Sequence, residues 1–157
     1  MVEAPVIAGS ELLLDTCVYI DILQGRTPAI VDDFLQVRLV NHSTICLAEM
    51  THLFGRLDPG HPGTRDALRE IRRTIDDIPS HRLSAPSPSA MAEAGMLAGL
   101  VSRLRGVERG RWSLLLNDAC LYVQAVEQGW TVLTRNVRDF DLFDQLIPSG
   151  RLLLYEP

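Results

Sequence analysis

The stretch Glu11-Leu12-Leu13-Leu14-Asp15 decides the fold. Three consecutive leucines predict a short buried strand, and this strand ends on a carboxylate. Apolar residues then recur through 18–23, which predicts a helix that stops at Gly25. This part of the chain is therefore a strand-to-helix unit, the building block of α/β folds.

The rest of the chain continues the alternation of helices and strands. Further helices are predicted to begin at a Thr27-Pro28 cap and at Ser43, and to run over 64–77, 90–103 and 115–128; further strands are predicted over 38–40, 130–134 and 151–155, with 135–141 as a loop. The alternation implies an α/β fold of three layers, α/β/α, around a central, mainly parallel sheet. Since no repeat or linker divides the sequence, we expect a single domain over 1–157.

The composition is close to the average for globular proteins. The chain has 157 residues (17.5 kDa), of which 46% are hydrophobic and 22% charged. No apolar run approaches the roughly 18 residues that a membrane span needs, so we expect no membrane partner. Met1–Pro5 lacks the basic start of a signal peptide, and Cys17, Cys46 and Cys120 lie in apolar contexts, which favours a cytoplasmic location.

Arginine supplies every positive side-chain charge, because all 15 residues counted as Lys or Arg are Arg. This excludes P-loop ATPases, Schiff-base enzymes and response-regulator receiver domains, each of which depends on a lysine. The formal net charge of -5 argues against nucleic-acid binding through the overall field. A local arginine patch or a bound metal ion reverses that sign where it matters.

Asp15 and Asp118 lie where the pattern predicts a ligand crevice or burial. Asp15 directly follows the leucine strand, and the carboxyl ends of parallel strands form the ligand crevice of an open sheet. Asp118 falls on the apolar arc of its helix, whereas the polar side holds Asn117, Gln124, Glu127 and Gln128. Alternatively, Asp15 or Thr16 caps the first helix, and Asp118 opens its own helix as a first-turn anion.

Two further acids belong to the same end of the predicted sheet. Glu49 borders the apolar stripe of its helix, and Asp139 follows the 130–134 strand, with Asp141 as a rival for the same role. In a parallel fold these acids converge with the two described above. Such a cluster stays ionised only with a cation, and carboxylate oxygens suit Mg²⁺ or Mn²⁺.

Short motifs occur in a recognisable order: Leu13-Leu14-Asp15-Thr16, Ala48-Glu49, Asn117-Asp118-Ala119, Leu133-Thr134-Arg135-Asn136 and Asp139-Phe140. Together they resemble the PIN-domain ribonucleases, especially the VapC-type toxins of bacterial toxin–antitoxin pairs. The resemblance implies a PIN-like fold and an endoribonuclease that uses Mg²⁺ or Mn²⁺ to hydrolyse RNA phosphodiester bonds.

The resemblance carries the family's acidic quartet onto Asp15, Glu49, Asp118 and Asp139. Asp15, Asp118 and Asp139 are implied as metal ligands. Glu49 either completes the metal shell through water or deprotonates the attacking water. The resemblance therefore implies that all four acids are catalytic, whichever of these roles Glu49 has.

Five further residues are implied as substrate contacts. Thr16 and Thr134 stand at the family's hydroxyl positions. Asn136 replaces an Asp of some relatives, which leaves open whether one or two ions bind. Arg135 and Arg138 flank the site and are placed to grip backbone phosphates.

The resemblance also implies partners: an RNA substrate, a cognate antitoxin protein and a second copy of the chain in a homodimer. A different interpretation is a non-catalytic PIN-like module that binds RNA or acts as a scaffold. A phosphatase of the haloacid dehalogenase kind ranks last, since Leu14-Asp15-Thr16-Cys17 lacks the second Asp of that motif. The arginines of the 64–77 helix are interleaved with acids, which predicts a solvated face.

Overall fold

The computed structural model describes residues 9–106 and 109–157, and at its centre is one sheet of five strands. The strands are β1 (Leu12–Leu14), β2 (Val40–Ser43), β3 (Leu83–Ser84), β4 (Thr131–Thr134) and β5 (Leu152–Leu154). Their order is β3-β2-β1-β4-β5, and every pairing is parallel. The prediction of a mainly parallel sheet is confirmed.

Seven α-helices in the described residues flank this sheet and complete the three-layer α/β/α architecture. They are α1 (Thr16–Leu23), α2 (Ala29–Val37), α3 (Thr44–Arg56), α4 (Thr64–Asp76), α5 (Pro88–Arg105), α6 (Trp112–Gln128) and α7 (Val137–Leu146). Two 3-10 turns span Ser80–Arg82 and Arg109–Arg111. The predicted domain range also includes 1–8 and 107–108, which lie outside the described residues.

Strand β1 lies in the middle of the sheet and is buried on both faces. Leu12 and Leu13 are each 0% exposed. Leu12 pairs with Val40 of β2, and Leu14 pairs with Leu133 of β4. Burial on both faces explains why the strand is a continuous run of leucines rather than an alternation of apolar and polar residues.

The strand order creates a switch point between β1 and β4. The chain first adds β2 and β3 on one side of β1, and then returns to place β4 and β5 on the other. In an open α/β sheet, ligands bind outside the carboxyl ends of the strands at such a point. Asp15 follows β1 there, and Arg135 follows β4.

Helix α7 replaces part of the predicted loop over 135–141, so that prediction is wrong. The side chain of Asn136 caps the helix by accepting from the backbone N–H of Asp139. Phe140 and Phe143 are fully buried, 5.5 Å apart between ring centroids, and both pack at an angle against Tyr122 of α6. This aromatic packing involves a residue of α6, outside the 135–141 stretch, so the local sequence pattern could not show it.

Smaller differences occur at other element boundaries. Strand β2 begins at Val40 rather than Arg38, and strand β3 was not predicted. Helix α2 takes Pro28, not Thr27, as its N-cap, and the Thr27 hydroxyl instead donates to Asp32 at 2.8 Å. A short edge strand carries too few residues for a periodicity to be recognised.

The arginines of α4 form the solvated face that the sequence predicts. Arg69, Arg72 and Arg73 pair at 3.2 Å with acids three or four residues away on the same helix, namely Asp66, Asp76 and Glu70. All these side chains are exposed. In the part of the chain that the structure describes, no helix combines the length and the apolar character needed to cross a membrane.

Gln124 lies in the core, although the sequence pattern places it on the polar side of its helix. Helix α6 is buried on all sides between Ala119 and Ala125, so it has no solvated face there. The Ser43 hydroxyl donates to Gln124 Oε1 at 2.6 Å, and Gln124 Nε2 donates to the Ser84 carbonyl at 3.1 Å. Gln124 thus connects α6 to β2 and β3.

We expect Gln124→Leu to lower the free energy of unfolding by about 1–3 kcal/mol, because it leaves buried hydrogen-bonding groups of Ser43 and Ser84 without their partner. Urea denaturation at one pH measures this difference. Gln128→Leu, at an exposed position of the same helix, is the matched control and should change stability by less than about 0.5 kcal/mol. Equal effects of the two substitutions would contradict this role of Gln124.

Candidate active site

An open cavity of about 1010 Å³ lies beyond the carboxyl ends of β1 and β4. Asp15, Glu49, Asp118 and Asp139 all line it. These acids come from four separate parts of the chain: the end of β1, the middle of α3, the middle of α6 and the first turn of α7. The fold therefore brings together the four acids that the sequence analysis singles out.

Asp15 occupies the N-cap position of α1, but its side chain makes no capping hydrogen bond. Its Oδ2 instead accepts from the Thr134 hydroxyl at 2.6 Å and from the Cys17 thiol at 3.1 Å. The residue is 5% exposed, and burial raises the pKa of its carboxyl group above the ordinary value. The capping alternative is thus wrong for the side chain.

Glu49 is half-buried on α3, and both of its carboxylate oxygens accept hydrogen bonds. Its Oε2 accepts from the Thr16 hydroxyl, and its Oε1 accepts from Asn117 Nδ2 at 2.9 Å. Asn117, which the pattern places on the polar side of α6, therefore faces the cavity beside Asp118. These two donors fix the orientation of the carboxylate.

Asp118 lies half-buried on α6 among the other three acids of the cavity. Burial, followed by the charges of Asp15, Glu49 and Asp139, raises its pKa to about 9. Its Oδ2 accepts from Asn136 Nδ2 at 2.9 Å. Since α6 begins at Trp112, the alternative that Asp118 is a first-turn anion is wrong.

Asp139 sits in the first turn of α7 rather than in a loop. It accepts from Asn136 Nδ2 at 3.0 Å and forms an ion pair with Arg105 at the end of α5. Its rival Asp141 is exposed, accepts from Gln145 at 2.7 Å and does not line the cavity. The geometry favours Asp139 as the fourth acid.

The hydroxyl and amide residues differ in how far substrate can reach them. Thr134 is fully buried, and its hydroxyl donates to Asp15 and accepts from the backbone N–H of Asn136 at 2.9 Å. Because this hydroxyl is enclosed in the structure, the contact of Thr134 with substrate stays a prediction. Thr16 and Asn136 do line the cavity, although both hold acids of the quartet.

Arginines surround the acids, and only some of them were predicted. Arg135 and Arg138 line the cavity as expected, and both are exposed. Three that the sequence analysis missed line it as well: Arg56, Arg105 and Arg111. Arg56 follows Glu49 by two helical turns, together with His52 and Leu53, and this spacing on one face of α3 is a signal that could have revealed it.

Asp21 is a further residue that sequence reasoning missed. It lies on α1, is 0% exposed and accepts from Arg135 Nε at 2.8 Å. The prediction that Arg135 flanks the site is compatible with this pair, since the arginine lines the cavity. No pattern in the sequence identifies the contact, because its two residues are separated by most of the chain.

No protein-family model matches the sequence, and no curated protein is significantly similar to it. Solved structures do match. FitAcB from Neisseria gonorrhoeae is 20% identical, with 90% of this chain and 96% of that chain covered, at a TM-score of 0.63. VapBC-5 from Mycobacterium tuberculosis, a member of the VapBC family of toxin–antitoxin systems, is 15% identical, with 94% and 100% covered, at a TM-score of 0.63.

A third match is VapBC2 from Rickettsia felis bound to a promoter DNA fragment, at 15% identity and a TM-score of 0.61, with 92% of this chain and 98% of that chain covered. Nearly the whole of each chain thus superposes on the described architecture. The chain has a PIN-like fold. At these identities the likeness concerns the fold, and the PIN-like chain's chemistry has to be argued from its own residues.

The acids of this PIN-like chain fit a hard divalent cation by donor type, since all are carboxylates. In the described residues, no three His, Cys, Asp or Glu side chains form a ready-made coordination group. Mg²⁺ needs no such group, because it usually keeps several water ligands and binds one or two carboxylates directly. The raised pKa of Asp118 supports the fit, since a cation would offset both the burial and the surrounding negative charge.

We expect the protein without added metal to lose stability as the pH rises from about 4 to about 9. Over this range the folded state binds the Asp118 proton more tightly than the unfolded state does, so the free energy of unfolding falls with pH. Asp15, whose pKa is also raised, acts in the same direction. Urea denaturation of the chelated protein at several pH values measures the slope.

Asp118→Asn should flatten this dependence and raise the stability of the chelated protein at pH values near 8, because Asn is neutral at every pH, whereas wild-type Asp118 must keep a proton when folded and releases it on unfolding. Asp141→Asn, outside the cavity, is the control and should keep the wild-type slope. A wild-type slope in the Asp118→Asn protein would show that the carboxyl group is not strained by its neighbours.

Proposed function

We propose that the protein is a Mg²⁺- or Mn²⁺-dependent endoribonuclease that acts as the toxin of a toxin–antitoxin pair. The observation that carries the proposal is the convergence of Asp15, Glu49, Asp118 and Asp139 in one cavity at the switch point of the sheet. A rim of arginines around these acids supports a polyanionic substrate.

In this proposal Asp15, Asp118 and Asp139 hold the metal. A divalent cation there would lower the pKa of a bound water and offset the charge that develops on the scissile phosphate. Thr134 and Cys17 hold Asp15 in place through its Oδ2. Asn136 donates through Nδ2 to both Asp118 and Asp139, so that one amide sets the direction of two carboxylates.

Glu49 is the remaining acid of the proposed reaction site and is not one of the three proposed metal ligands. Thr16 and Asn117 both donate to it, so its carboxylate is oriented by neutral groups rather than by a cationic side chain. A carboxylate oriented in this way can accept a proton from the attacking water or hold a metal-bound water in line. Both roles use the same geometry.

The arginine rim supplies the phosphate contacts in the proposal. Arg56 lies on α3, Arg111 precedes α6 and Arg138 lies on α7, so positive charge surrounds the acids from separate elements. The net charge of -5 would repel RNA from most of the surface. Local arginines therefore direct the strand to the cavity.

A protein partner is proposed from two observations. Among the solved structures that share this fold, VapBC-5 is a member of a family of toxin–antitoxin systems, which supports a cognate antitoxin here. The chain also exposes apolar side chains: Trp112, which is 58% exposed, lines a shallow groove between α5 and α6, and Met96 of α5 is 71% exposed. Exposed apolar area of this kind is typical of an interface, and we propose that a second copy covers it in a homodimer.

One observation favours the alternative of a non-catalytic RNA-binding module. Asp139 is paired with Arg105, so the fourth acid already has a cationic partner within the chain. In such a module the acids would not need a metal ion, and the arginine rim alone would bind RNA. Cleavage and metal binding therefore separate the two functions.

We expect the purified protein to cut bacterial total RNA into discrete fragments with Mn²⁺ and to lose this activity with a chelator. Asp118→Asn should reduce cleavage by at least about 100-fold, because it removes a charge that the proposed mechanism requires. Gel electrophoresis of the RNA measures the products. Asp141→Asn, purified identically, should cut at the wild-type rate and excludes a contaminating nuclease. Equal cleavage by wild type and Asp118→Asn would contradict the proposal.

Metal binding itself gives a readout that does not depend on the RNA chosen. We expect Mn²⁺ at about 100 times its dissociation constant to stabilise the wild-type protein by about 2.7 kcal/mol, by mass action. Thermal unfolding with and without the ion measures the shift. The Asp141→Asn protein should keep this shift and the Asp118→Asn protein should lose most of it. No shift in the wild type would favour the non-catalytic module.

A further inference from the structure

Asp21 is a fully buried acid that the proposed chemistry does not use directly. It lies on α1 and is 0% exposed, yet three side chains donate to its carboxylate. Arg26 Nη2 donates to Oδ1 at 2.9 Å, while Arg135 Nε and the Tyr155 hydroxyl both donate to Oδ2 at 2.8 Å. A buried carboxylate with this many donors is an organised contact rather than a stray surface acid.

The three donors come from different parts of the fold. Arg26 follows α1, Arg135 follows β4 and Tyr155 follows β5. Burial and the hydrogen bond to Asp21 raise the pKa of Tyr155, so this residue stays a neutral donor. Among the three, only Arg135 lines the catalytic cavity.

The bond to Asp21 uses the Nε edge of Arg135. This leaves the Nη groups at the tip of the guanidinium for another partner, and in the described residues no side chain bonds to them. The side chain remains 37% exposed. The Nε edge of Arg135 is thus held by the buried Asp21, while its Nη groups remain available to a ligand.

A fixed arginine binds phosphate better than a freely rotating one. An unrestrained arginine loses side-chain conformational freedom when a ligand immobilises it. An arginine held at Nε has lost part of that freedom when the protein folds, and its planar tip is already oriented for a phosphate.

We propose that Asp21 is a positioning residue that holds Arg135 ready for a backbone phosphate of the RNA strand in the cavity. This inference rests on the proposed function, since it takes RNA as the substrate. It assigns Asp21 a role in substrate binding that is separate from metal binding, because Asp21 does not line the cavity.

Two possible roles of Asp21, neutralising Arg135 and positioning it, predict opposite changes in RNA affinity for Asp21→Asn. If Asp21 only neutralised Arg135, its removal would increase the local positive charge, so RNA would bind more tightly and with a steeper salt dependence. If Asp21 positions Arg135, its removal releases the guanidinium, so RNA binds more weakly. The sign of the change in affinity therefore decides between the two.

The test measures binding of a labelled single-stranded RNA in Mg²⁺ at several salt concentrations, with Asp118→Asn as the parent so that the strand is not cut. We expect Asp21→Asn to weaken binding about 5- to 10-fold, as Arg135→Gln does, with a salt slope reduced by about one. Arg26→Gln removes the other guanidinium from the same carboxylate and is the matched control; it should stay within about twofold of the parent.

Two further variants separate positioning from a general loss of structure. Asp21→Asn should add no further loss in an Arg135→Gln protein, since the group that it positions is then absent. Arg135→Lys keeps the charge but not the Nε donor, so it should bind RNA nearly as weakly as Arg135→Gln. This second variant also tests the inference if Asp21→Asn does not fold.

Tighter binding by Asp21→Asn, an equal loss in the Arg135→Gln background, or full binding by Arg135→Lys would each overturn the inference. Failure of the proposed function gives different results. A parent that binds no RNA overturns the RNA assignment together with this inference, whereas wild-type protein that binds RNA but does not cut it overturns only the nuclease assignment.

Discussion

Repulsion between carboxylates that meet at one end of the sheet is the constraint on which the surrounding structure depends. Burial and neighbouring negative charges raise the pKa of Asp118 to about 9, so the acids strain one another when no cation is present. The chain offsets this strain with donors on every member of the quartet, and these are Thr134, Cys17, Thr16, Asn117, Asn136 and Arg105. These hydroxyl, thiol, amide and guanidinium donors thereby determine where the carboxylates can point.

Packing far from the cavity holds these donors in place. Asn136 caps α7, and the position of α7 depends on Phe140 and Phe143, which pack against Tyr122 in the core. The Tyr122 hydroxyl donates to the Ile147 carbonyl at 2.6 Å and so ties the end of the same helix to α6. Loosening this aromatic contact would move the amide that bonds to two of the acids. The orientation of Asp118 and Asp139 therefore depends on aromatic packing in the core.

The sequence predicted the parts of the fold and site that follow from local pattern. The leucine run placed Asp15 at a strand end, and the position of Asp118 on an apolar arc indicated a buried charge. It failed where partners are distant in sequence: α7 depends on Tyr122, and Gln124 is buried because two strands cover its side of α6. The burial of Thr134 likewise depends on a residue distant in sequence, since its hydroxyl donates to Asp15.

Arg105 and Arg135 both line the cavity, but they pair with acids in different positions. Arg105 pairs with Asp139, a member of the quartet, so any cation that Asp139 binds competes with that arginine. Arg135 pairs with Asp21, which is buried away from the cavity, so its position does not depend on whether the quartet holds a cation. The fold therefore presents one arginine whose carboxylate partner belongs to the quartet and one whose carboxylate partner does not. In the proposed function, a phosphate that enters the cavity would therefore meet the guanidinium held by Asp21 whether or not the quartet carries a cation.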